Sequence, residues 1–328
     1  MYPTEARPGF GIIVHRLAEA IGRLGADVEV LAISGDRGRF DYLSSRRRVQ
    51  DAVRRFRPDV VHVHFGYSIV ATTSGYPRVV SFYGDDLNGE SVGRENTITL
   101  KSRVGRLVSE RAATLADRSI AVSESLRQRI RSRAARERCA VIRDAVDTSL
   151  FRPIEQHVAR EQLGVRHDAK LVLFPHSLVQ RTKRLDLARD TIERLRLRDD
   201  SVELWVVNGR SPEEMPLYYA AADALIVTSD LEGGPSCVKE ALACGLPVVS
   251  VPVGDQQVLN EAWNICFLAD RNAEALGAAI EAAFRFRGCP RVNRLPSELV
   301  LSHAAGRVID VYGDAIDRHR RGCGAANA

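Results

Sequence analysis

Short runs of β-branched and other apolar residues alternate along the chain with longer segments of helical periodicity. Five runs form a first series, at 27–33, 59–64, 78–83, 118–123 and 139–143. Five more form a second series, at 170–174, 202–207, 224–229, 247–252 and 265–269. Both series are too apolar to have a solvent-facing side, which is typical of strands buried in parallel sheets. Two consecutive βαβ series predict an α/β protein with two doubly wound domains.

The segment 144–157 separates the two series and combines Pro153 with turn-forming residues, so we predict a hinge there. The length of 328 residues is sufficient for two domains. We place the N-terminal domain at 1–150 and the C-terminal domain at 151–302, and we expect a last helix at about 303–320 to pack back on the first domain. Doubly wound sheets bind ligands at the carboxyl ends of their strands, which predicts a site in a cleft where the two sheets face each other.

The composition is that of an ordinary globular protein, with 45% hydrophobic and 27% charged residues. No apolar run approaches the ~18 residues of a membrane span, and no signal-peptide pattern opens the chain. The six cysteines include no C-x-x-C pair, so we expect buried free thiols rather than disulfides or a zinc site. These features favour a cytoplasmic protein.

Positive charge is concentrated between Lys101 and Arg143, where twelve basic residues meet four acidic ones, while the whole chain carries +5. Such a strip suits anionic lipid, nucleic acid or a polyphosphate ligand, and a solvated arginine-rich helix face is the alternative. The strip contains no aromatic residue, which argues against stacking on single-stranded nucleic acid. We therefore expect no nucleic-acid partner. The strip instead supports peripheral contact of the protein with the inner face of an anionic membrane.

The candidate chemistry lies in SDLEGGPSCVKEALAC, which begins at Ser229 and follows a predicted strand. A junction of strand, loop and helix offers free backbone N–H groups at the positive end of a helix, and glycines let a ligand approach closely. Two ionised carboxylates only accept hydrogen bonds, so they suit a ligand rich in hydroxyl groups, such as a sugar or a ribose. The candidate residues of this motif are Glu232, Gly233, Gly234, Pro235 and Glu240. We predict Pro235 as the first residue of the helix.

A ligand that also carries phosphate needs cations, and the loop after the strand at 170–174 supplies Arg181, Lys183 and Arg184. Only four lysines occur in the chain, so a lysine in this loop is an unusual choice. Taken singly, Glu240 fits an exposed helix residue and the basic loop fits a solvated turn, and both alternatives stay open at this point.

The run EGGPSCVKEALACGLPVVSVPVGD resembles the signature of the family-4 retaining glycosyltransferases, which have the GT-B fold of two Rossmann-like domains facing a cleft. Further matching segments follow the family order over nearly the whole chain: YPTEARPGFGIIVHRLAEAI, PDVVHVHFGYS, VVSFYGDDLNG, IAVSESLRQRI, VIRDAVDTSLFRP and PLYYAAADALIVTS. The resemblance implies a metal-independent enzyme with no cofactor, whose co-substrate is a nucleotide-sugar.

The resemblance also implies roles for the matching residues. Glu232 would contact hydroxyl groups of the donor sugar, and Glu240 would hold the ribose of the nucleotide. Lys183 with Arg181 would neutralise the donor diphosphate and stabilise it as it leaves. The other expected substrate-binding residues are Gly9, Gly11, Tyr83, Asp85, Gly233, Gly234 and Pro235.

Three departures from the family pattern qualify this interpretation. Tyr83 stands where many members have a histidine, and Ser177 replaces the usual arginine before Lys183. The stretch between VELWVVNG and SPEEMPLYY is shorter than in most relatives and borders the expected nucleobase pocket, so the identity of the base stays open. Two weaker pairs, His62 with His64 and Asp85 with Asp86, do not make a convincing metal site.

The leading hypothesis is transfer of a hexose from a nucleotide-sugar to an acceptor hydroxyl with retention of configuration, in the synthesis of a surface glycan or glycoconjugate. Glycosylation of a small natural product is the alternative acceptor class. A GT-B epimerase or phosphorylase, and a degenerate member that binds nucleotide-sugar without turnover, are the rival classes.

Relatives normally begin with an apolar strand, whereas Met1 stands where that strand should end. The strand is central in a doubly wound sheet, and each buried backbone group left unpaired would cost about 1–3 kcal/mol. We therefore expect either a natural reading frame that starts about ten residues upstream, or an N-terminal sheet with a gap or a rearrangement and reduced stability.

Overall fold

The computed structural model describes residues 11–33, 39–73, 75–88, 91–92, 97–98, 100–176, 181–230, 232, 234–254 and 265–325. The chain divides into two compact units. The first unit ends at Asp144 and resumes at Leu301, and the second runs from Ala145 to Val300. The C-terminal helix therefore belongs to the first unit.

The strands are β1 (Val61–His64), β2 (Arg78–Phe82), β3 (Ser91–Val92), β4 (Thr97–Ile98), β5 (Arg118–Ala121), β6 (Cys139–Val141), β7 (Lys170–Phe174), β8 (Val202–Val206), β9 (Ala224–Val227), β10 (Val248–Ser250) and β11 (Cys266–Leu268). The helices are α1 (Ile12–Arg23), α2 (Arg39–Ser44), α3 (Arg46–Phe56), α4 (Asp85–Asn88), α5 (Leu100–Leu115), α6 (Glu124–Gln128), α7 (Arg133–Glu137), α8 (Gln156–Leu163), α9 (Leu185–Arg196), α10 (Met215–Ala221), α11 (Ser236–Ala243), α12 (Ala273–Ala283) and α13 (Leu301–Ala325). Short 3₁₀ helices lie at Gly66–Ala71, Arg181–Lys183, Phe284–Phe286 and Ser297–Leu299.

The first unit is built on a four-stranded parallel sheet in the order β1-β2-β5-β6. Strand β2 lies inside this sheet, and its Val79, Val80 and Phe82 have no exposed surface. Helix α13 packs on α1, β2 and β5. An ion pair of 3.0 Å between Arg118 and Asp314 joins α13 to β5. The strands predicted at 59–64, 78–83, 118–123 and 139–143 are therefore formed, and they lie in one sheet.

The predicted strand at 27–33 is not formed, which corrects the sequence analysis. This segment belongs to no helix or strand and makes no ladder with any described residue, and the exposed fractions of Val28, Val30 and Leu31 are 43%, 41% and 36%. A strand pattern becomes a strand only when a neighbour takes its backbone hydrogen bonds. Strand β1 is accordingly an edge of the described sheet, since it pairs only with β2. The expectation about an upstream strand lies outside the described residues.

The second unit is built on a five-stranded parallel sheet in the order β11-β10-β9-β7-β8. All four residues of β9 are fully buried, as a strand covered on both faces must be. Leu225 and Val227 pack in one core with residues of α10 and α11, whereas Ala224 and Ile226 pack in another with residues of α9 and α12. Two parallel doubly wound sheets confirm the predicted fold class.

A glycine ends the helix that carries the second motif glutamate. Gly245 has a φ of +73°, and the N–H of Leu246 bonds to the carbonyl of Ala241, which closes α11 in a left-handed cap. A Cβ at Gly245 would lie 2.6 Å from the carbonyl oxygen of Val292. Only glycine fits there, because both the backbone angle and the space exclude a side chain.

Gly245→Ala is expected to lower the free energy of unfolding by about 2 kcal/mol more than Gly209→Ala does, because overpacking adds to the strain of a left-handed residue. Gly209 is the matched control, since it has a φ of +74° and nothing within 4 Å of its Cβ position. Chemical denaturation of the two variants measures the difference. Equal losses of unfolding free energy in the two variants would show that the loop around Val292 shifts to accommodate the added methyl group.

Candidate active site

The motif occupies the carboxyl end of β9 in the second unit, where the chain passes through a loop into α11. Pro235 lies at the N-cap position of α11, with φ −65° and ψ 122°, so it stands one residue before its predicted place. The backbone of Gly234 is described, whereas Gly233 lies outside the described residues. The site is therefore the strand–loop–helix junction that the sequence predicts, at the edge of the sheet where doubly wound folds bind ligands.

The first motif glutamate and the loop lysine form one close contact. Lys183 Nζ lies 2.6 Å from Glu232 Oε1, and the hydroxyl of Ser229 donates to the same oxygen at 2.6 Å. The side chains of Lys183 and Glu232 are 18% and 10% exposed. Two donors on one carboxylate oxygen fix the orientation of Glu232, and partial burial strengthens both interactions.

The loop that carries the lysine is held by the end of the neighbouring strand. The hydroxyl of Thr228 lies 2.8 Å from the carbonyl oxygen of Lys183 and 2.9 Å from that of Arg184. The N–H of Asp230 donates to the carbonyl of Thr182 at 2.8 Å. Because β7 and β9 are neighbours in the sheet, their two following loops meet, and this brings Lys183 to Glu232.

The three cations of the loop have different surroundings. Arg184 pairs with Asp186 at 2.8 Å and with Asp230 at 3.3 Å. Arg181 is exposed and makes no ion pair with any described residue. Of the three, Lys183 alone contacts a motif glutamate within the part of the chain that the structure describes. Ser177, which replaces the usual arginine, lies outside that part.

Arg271, which the sequence analysis did not select, also belongs to this junction. Its guanidinium donates to the carbonyls of Thr228 and Ser229 at 3.1 and 2.7 Å, and it pairs with Asp230 at 3.0 Å. The residue follows β11, so its position after a parallel strand is the signal that could have indicated it.

The second motif glutamate is held by a buried tyrosine. The hydroxyl of Tyr219, on α10, donates to Glu240 Oε2 at 2.7 Å. Tyr219 is 1% exposed, and burial together with the charge of Glu240 raises the pKa of its hydroxyl well above the ordinary value. The phenol therefore stays protonated and donates, which fixes one oxygen of Glu240. The sequence analysis missed this residue, because a tyrosine in an apolar helix fits a core residue equally well.

If Glu240 holds the ribose, as the family resemblance implies, Tyr219→Phe should weaken nucleotide binding about 5-fold, because Glu240 loses a donor that orients it and an ordinary hydrogen bond contributes about 1 kcal/mol. Calorimetric titration with free nucleotide measures the change. Tyr218→Phe is the control, since Tyr218 is a neighbour on α10 with no described bond to Glu240. An unchanged affinity in Tyr219→Phe would mean that Glu240 does not bind the nucleotide or needs no orientation.

A histidine and a cysteine complete the polar surroundings of the Lys183–Glu232 pair. His176 follows β7, and burial and the charge of Lys183 lower its pKa to about 4. Cys237 Sγ lies 3.8 Å from His176 Nε2, and burial and the motif carboxylates raise the pKa of this thiol to about 12. Both groups are therefore neutral near pH 7, and the sequence analysis selected neither.

The two glycines near the start of the chain that are expected to bind substrate are only partly described. Gly11 is the N-cap residue of α1 with a φ of +75°, and Gly9 lies outside the described residues. In the second unit, a Cβ at Gly254 would lie 3.2 Å from the carbonyl oxygen of Glu232, so the loop after β10 packs closely against the motif. Glycine is required at Gly254, where φ is +61° and the backbone of the motif is near.

Tyr83, one of the predicted substrate-binding residues of the first unit, belongs to a cluster of histidines and hydroxyls. Its hydroxyl lies 2.7 Å from His64 Nδ1. His62 lies 2.7 Å from the hydroxyl of Tyr312 and 2.8 Å from that of Ser81. Burial lowers the pKa of His64 to about 4 and that of His62 well below its ordinary range, so both rings are neutral at physiological pH.

The acidic pair after β2 organises a turn. Asp86 accepts from the N–H groups of Gly66, Tyr83 and Gly84 at 3.1–3.2 Å, while burial raises the pKa of its carboxyl group. The backbone of Asp85 begins α4, and its side chain lies outside the described part. Among the described residues, no group of three or more His, Cys, Asp or Glu side chains is placed to hold a metal ion.

Comparisons with known proteins agree with this architecture. The family model "Glycosyltransferase Family 4" matches residues 9–150, and "Glycosyl transferases group 1" matches residues 186–285. The two doubly wound units have the GT-B fold, and the two family models identify the chain as a glycosyltransferase. The chain belongs to the family-4/group 1 glycosyltransferases, and the predicted family is confirmed.

Three proteins illustrate the relationship. The chain is 22% identical to TuaC of Bacillus subtilis, a glycosyltransferase named for teichuronic acid biosynthesis, over 85% of this chain and 86% of that protein. It is 29% identical to D-inositol 3-phosphate glycosyltransferase 1 of Catenulispora acidiphila, over 80% of this chain and 73% of that protein. The structure of HepE from Anabaena in complex with UDP and glucose superimposes with a TM-score of 0.59 at 17% identity, over 99% of this chain and 98% of that chain.

None of the described helices is both long enough and apolar enough to cross a membrane.

Proposed function

We propose that the protein transfers a hexose from a nucleotide-sugar to an acceptor hydroxyl with retention of anomeric configuration, in the synthesis of a surface glycan. The observation that carries the proposal is the contact between Lys183 and Glu232, beside a second carboxylate oriented by Tyr219. This arrangement provides one cation for a diphosphate and two separate carboxylates for hydroxyl groups. HepE, whose structure holds UDP and glucose, supports a nucleotide-sugar as the donor.

The reaction breaks the bond between the anomeric carbon and the diphosphate oxygen, and it forms a bond from that carbon to the acceptor oxygen. The electron pair of the broken bond goes to the diphosphate, where Lys183 stabilises the growing charge. Glu232 accepts hydrogen bonds from the sugar and holds it in position. The acceptor proton passes to the departing diphosphate. In this proposed reaction no residue of the chain forms a covalent intermediate, and no metal is required.

The acceptor class rests on the relatives. The name of TuaC, teichuronic acid biosynthesis, supports a surface polysaccharide. The name of the Catenulispora acidiphila relative, D-inositol 3-phosphate glycosyltransferase, supports a small polyol as the second candidate. Tyr83, at the carboxyl end of β2, is a candidate contact of the first unit with substrate, together with Gly9, Gly11 and Asp85.

The test is an assay of donor hydrolysis and transfer with a panel of nucleotide-sugars, with and without a chelator, followed by analysis of the anomeric configuration of the product. We expect turnover of one donor, an axial or equatorial linkage that matches the donor, and no loss with the chelator. Inversion of the linkage would overturn retention. Tight binding without turnover of any donor would identify a degenerate member that only binds nucleotide-sugar.

A further inference from the structure

Three consecutive residues that follow β9 hold the parts of the contact between Lys183 and Glu232. The hydroxyl of Thr228 donates to the carbonyl oxygen of Lys183 at 2.8 Å. The hydroxyl of Ser229 donates to Glu232 Oε1 at 2.6 Å. The backbone N–H of Asp230 donates to the loop that carries Lys183, also at 2.8 Å. These three residues therefore set the position of the lysine relative to the glutamate.

One guanidinium binds all three residues of this segment, 228–230. Arg271 Nη1 lies 3.1 Å from the carbonyl oxygen of Thr228, 2.7 Å from that of Ser229 and 3.0 Å from Oδ1 of Asp230. Thr228 and Ser229 have no exposed surface, so their carbonyls need a donor from the protein, and Arg271 supplies it. Arg271 follows β11, which β10 separates from β9 in the sheet. It therefore ties the segment to a strand that is not its neighbour.

The loop on the other side of the contact has a strained backbone. Arg184, directly after Lys183, has φ 54° and ψ 50° at the N-cap position of α9. This left-handed conformation costs free energy for any residue with a side chain, and it persists only where the surroundings fix it. The guanidinium of Arg184 reaches Oδ1 of Asp230 at 3.3 Å, and Arg271 binds the same oxygen. Asp230 therefore joins the strained loop to Arg271.

We propose that Arg271 is a positioning residue of the transfer reaction, which keeps Lys183 and Glu232 aligned through the segment 228–230. The inference rests on the proposed function, in which the lysine stabilises the departing diphosphate and the glutamate holds the donor sugar. Such groups need placement within about 0.5 Å, and a displacement of about 1 Å lowers a rate by up to about 10²-fold. Among the described residues, Arg271 has no hydrogen bond or ion pair with Lys183 or Glu232, so it acts through the segment.

Removal of the Arg271 side chain is expected to displace the segment 228–230 without unfolding the unit. The buried carbonyls of Thr228 and Ser229 lose their donor, which is unfavourable, so the segment shifts until water or another donor reaches them. The side chain of Arg271 is itself 32% exposed, and its loss therefore opens no cavity in the apolar core.

The test is the kinetics of Arg271→Ala in the full chain, with Arg287→Ala as the matched control. We expect Arg271→Ala to lower the turnover number about 10-fold with a smaller change in the Michaelis constant for the donor, because Lys183 acts mainly in the transition state. The side chain of Arg287 is 29% exposed, donates to the carbonyls of residues 167–169 and pairs with Asp223 at 3.4 Å. These carbonyls precede β7, so the control lies at the end of the strand opposite to the site.

We expect a similar fall in melting temperature in the two variants and a loss of turnover in Arg271→Ala alone. Equal losses of turnover would overturn the proposal in favour of a general effect on stability. The double variant Lys183→Ala with Arg271→Ala should be within about 3-fold of Lys183→Ala alone, because residues in one chain of contacts are not additive. Multiplied losses would also overturn the proposal, since they would give Arg271 a role independent of the lysine.

Labelling of lysine with ¹³C provides a readout that does not depend on turnover. The chain has only four lysines, so the Cε signals in an NMR spectrum are few, and the signal that Lys183→Ala lacks belongs to Lys183. We expect this signal to move toward the position of a solvent-exposed lysine in Arg271→Ala and to stay in place in Arg287→Ala. A Lys183 signal that is unchanged in Arg271→Ala, or equally changed in both variants, would overturn the proposal.

The two readouts separate this inference from the proposed function. If the wild-type protein turns over no nucleotide-sugar, the proposed transfer reaction fails. The NMR signal of Lys183 still decides whether Arg271 positions the lysine.

Discussion

Lys183→Ala is expected to lower the turnover number by about 10²- to 10³-fold, with a smaller change in the Michaelis constant for the donor. The charge of the leaving diphosphate grows as its bond to the sugar breaks, so a cation there contributes more to the transition state than to the bound ground state. Lys183 is the first variant to test, because it is the one cation of this loop that contacts a motif glutamate among the described residues.

Two control variants separate this role from the contact with Glu232. Ser229→Ala removes the other hydrogen bond to Glu232 and leaves the cation in place. If Lys183 acts only by holding Glu232, Ser229→Ala should reproduce part of its effect on turnover. Arg181→Ala tests the predicted second cation. Unchanged turnover in Lys183→Ala, together with a loss in Arg181→Ala, would transfer the role to Arg181.

Glu240→Ala is expected to weaken binding of the nucleotide-sugar and of the free nucleotide alike, by about 30- to 150-fold. The loss of charge-assisted hydrogen bonds to a ribose corresponds to about 2–3 kcal/mol. Glu232→Ala should weaken only the nucleotide-sugar, because its proposed partner is the donor sugar. The two carboxylates belong to different local environments, one bonded to Tyr219 and the other to Lys183 and Ser229.

Calorimetric titration of both variants with UDP and with UDP-glucose measures these affinities. Removal of Glu240 also leaves the buried hydroxyl of Tyr219 without this partner, so the double variant Glu240→Ala with Tyr219→Phe is the control for indirect effects. The double variant should bind free nucleotide as weakly as Glu240→Ala alone. Equal effects of Glu232→Ala and Glu240→Ala on free nucleotide would contradict the assignment of the two carboxylates.

The pattern of apolar and polar residues predicted the fold, because a strand that is buried on both faces is apolar at nearly every position. Nine of the ten predicted strands lie in two parallel sheets. The exception is 27–33, which has alternating apolar residues as a strand would but pairs with no strand among the described residues. Local sequence specifies the tendency of a segment to be extended, whereas the pairing that makes it a strand depends on a partner distant in the chain.

The motif also indicated which residues to consider, but their contacts depend on the order of the strands. Lys183 and Glu232 are 49 residues apart, and they meet because β7 and β9 are neighbours. Tyr219 reaches Glu240 because α10 and α11 share one face of the sheet. Spacing along the chain does not encode strand order, so no pattern could have shown these pairs.

The distribution of charge shows the same division. The sequence by itself determined the family, the βαβ architecture and the identity of the candidate residues, because these follow from composition and local order. Only the tertiary structure decided which charges are satisfied. Three glutamates of the strip from Lys101 to Arg143 pair with four of its arginines, whereas the side chains of five arginines on and beside α3 have no hydrogen bond or ion pair with a described residue: Arg46, Arg47, Arg48, Arg54 and Arg57. A charge affects a partner molecule only where folding leaves it exposed and unpaired.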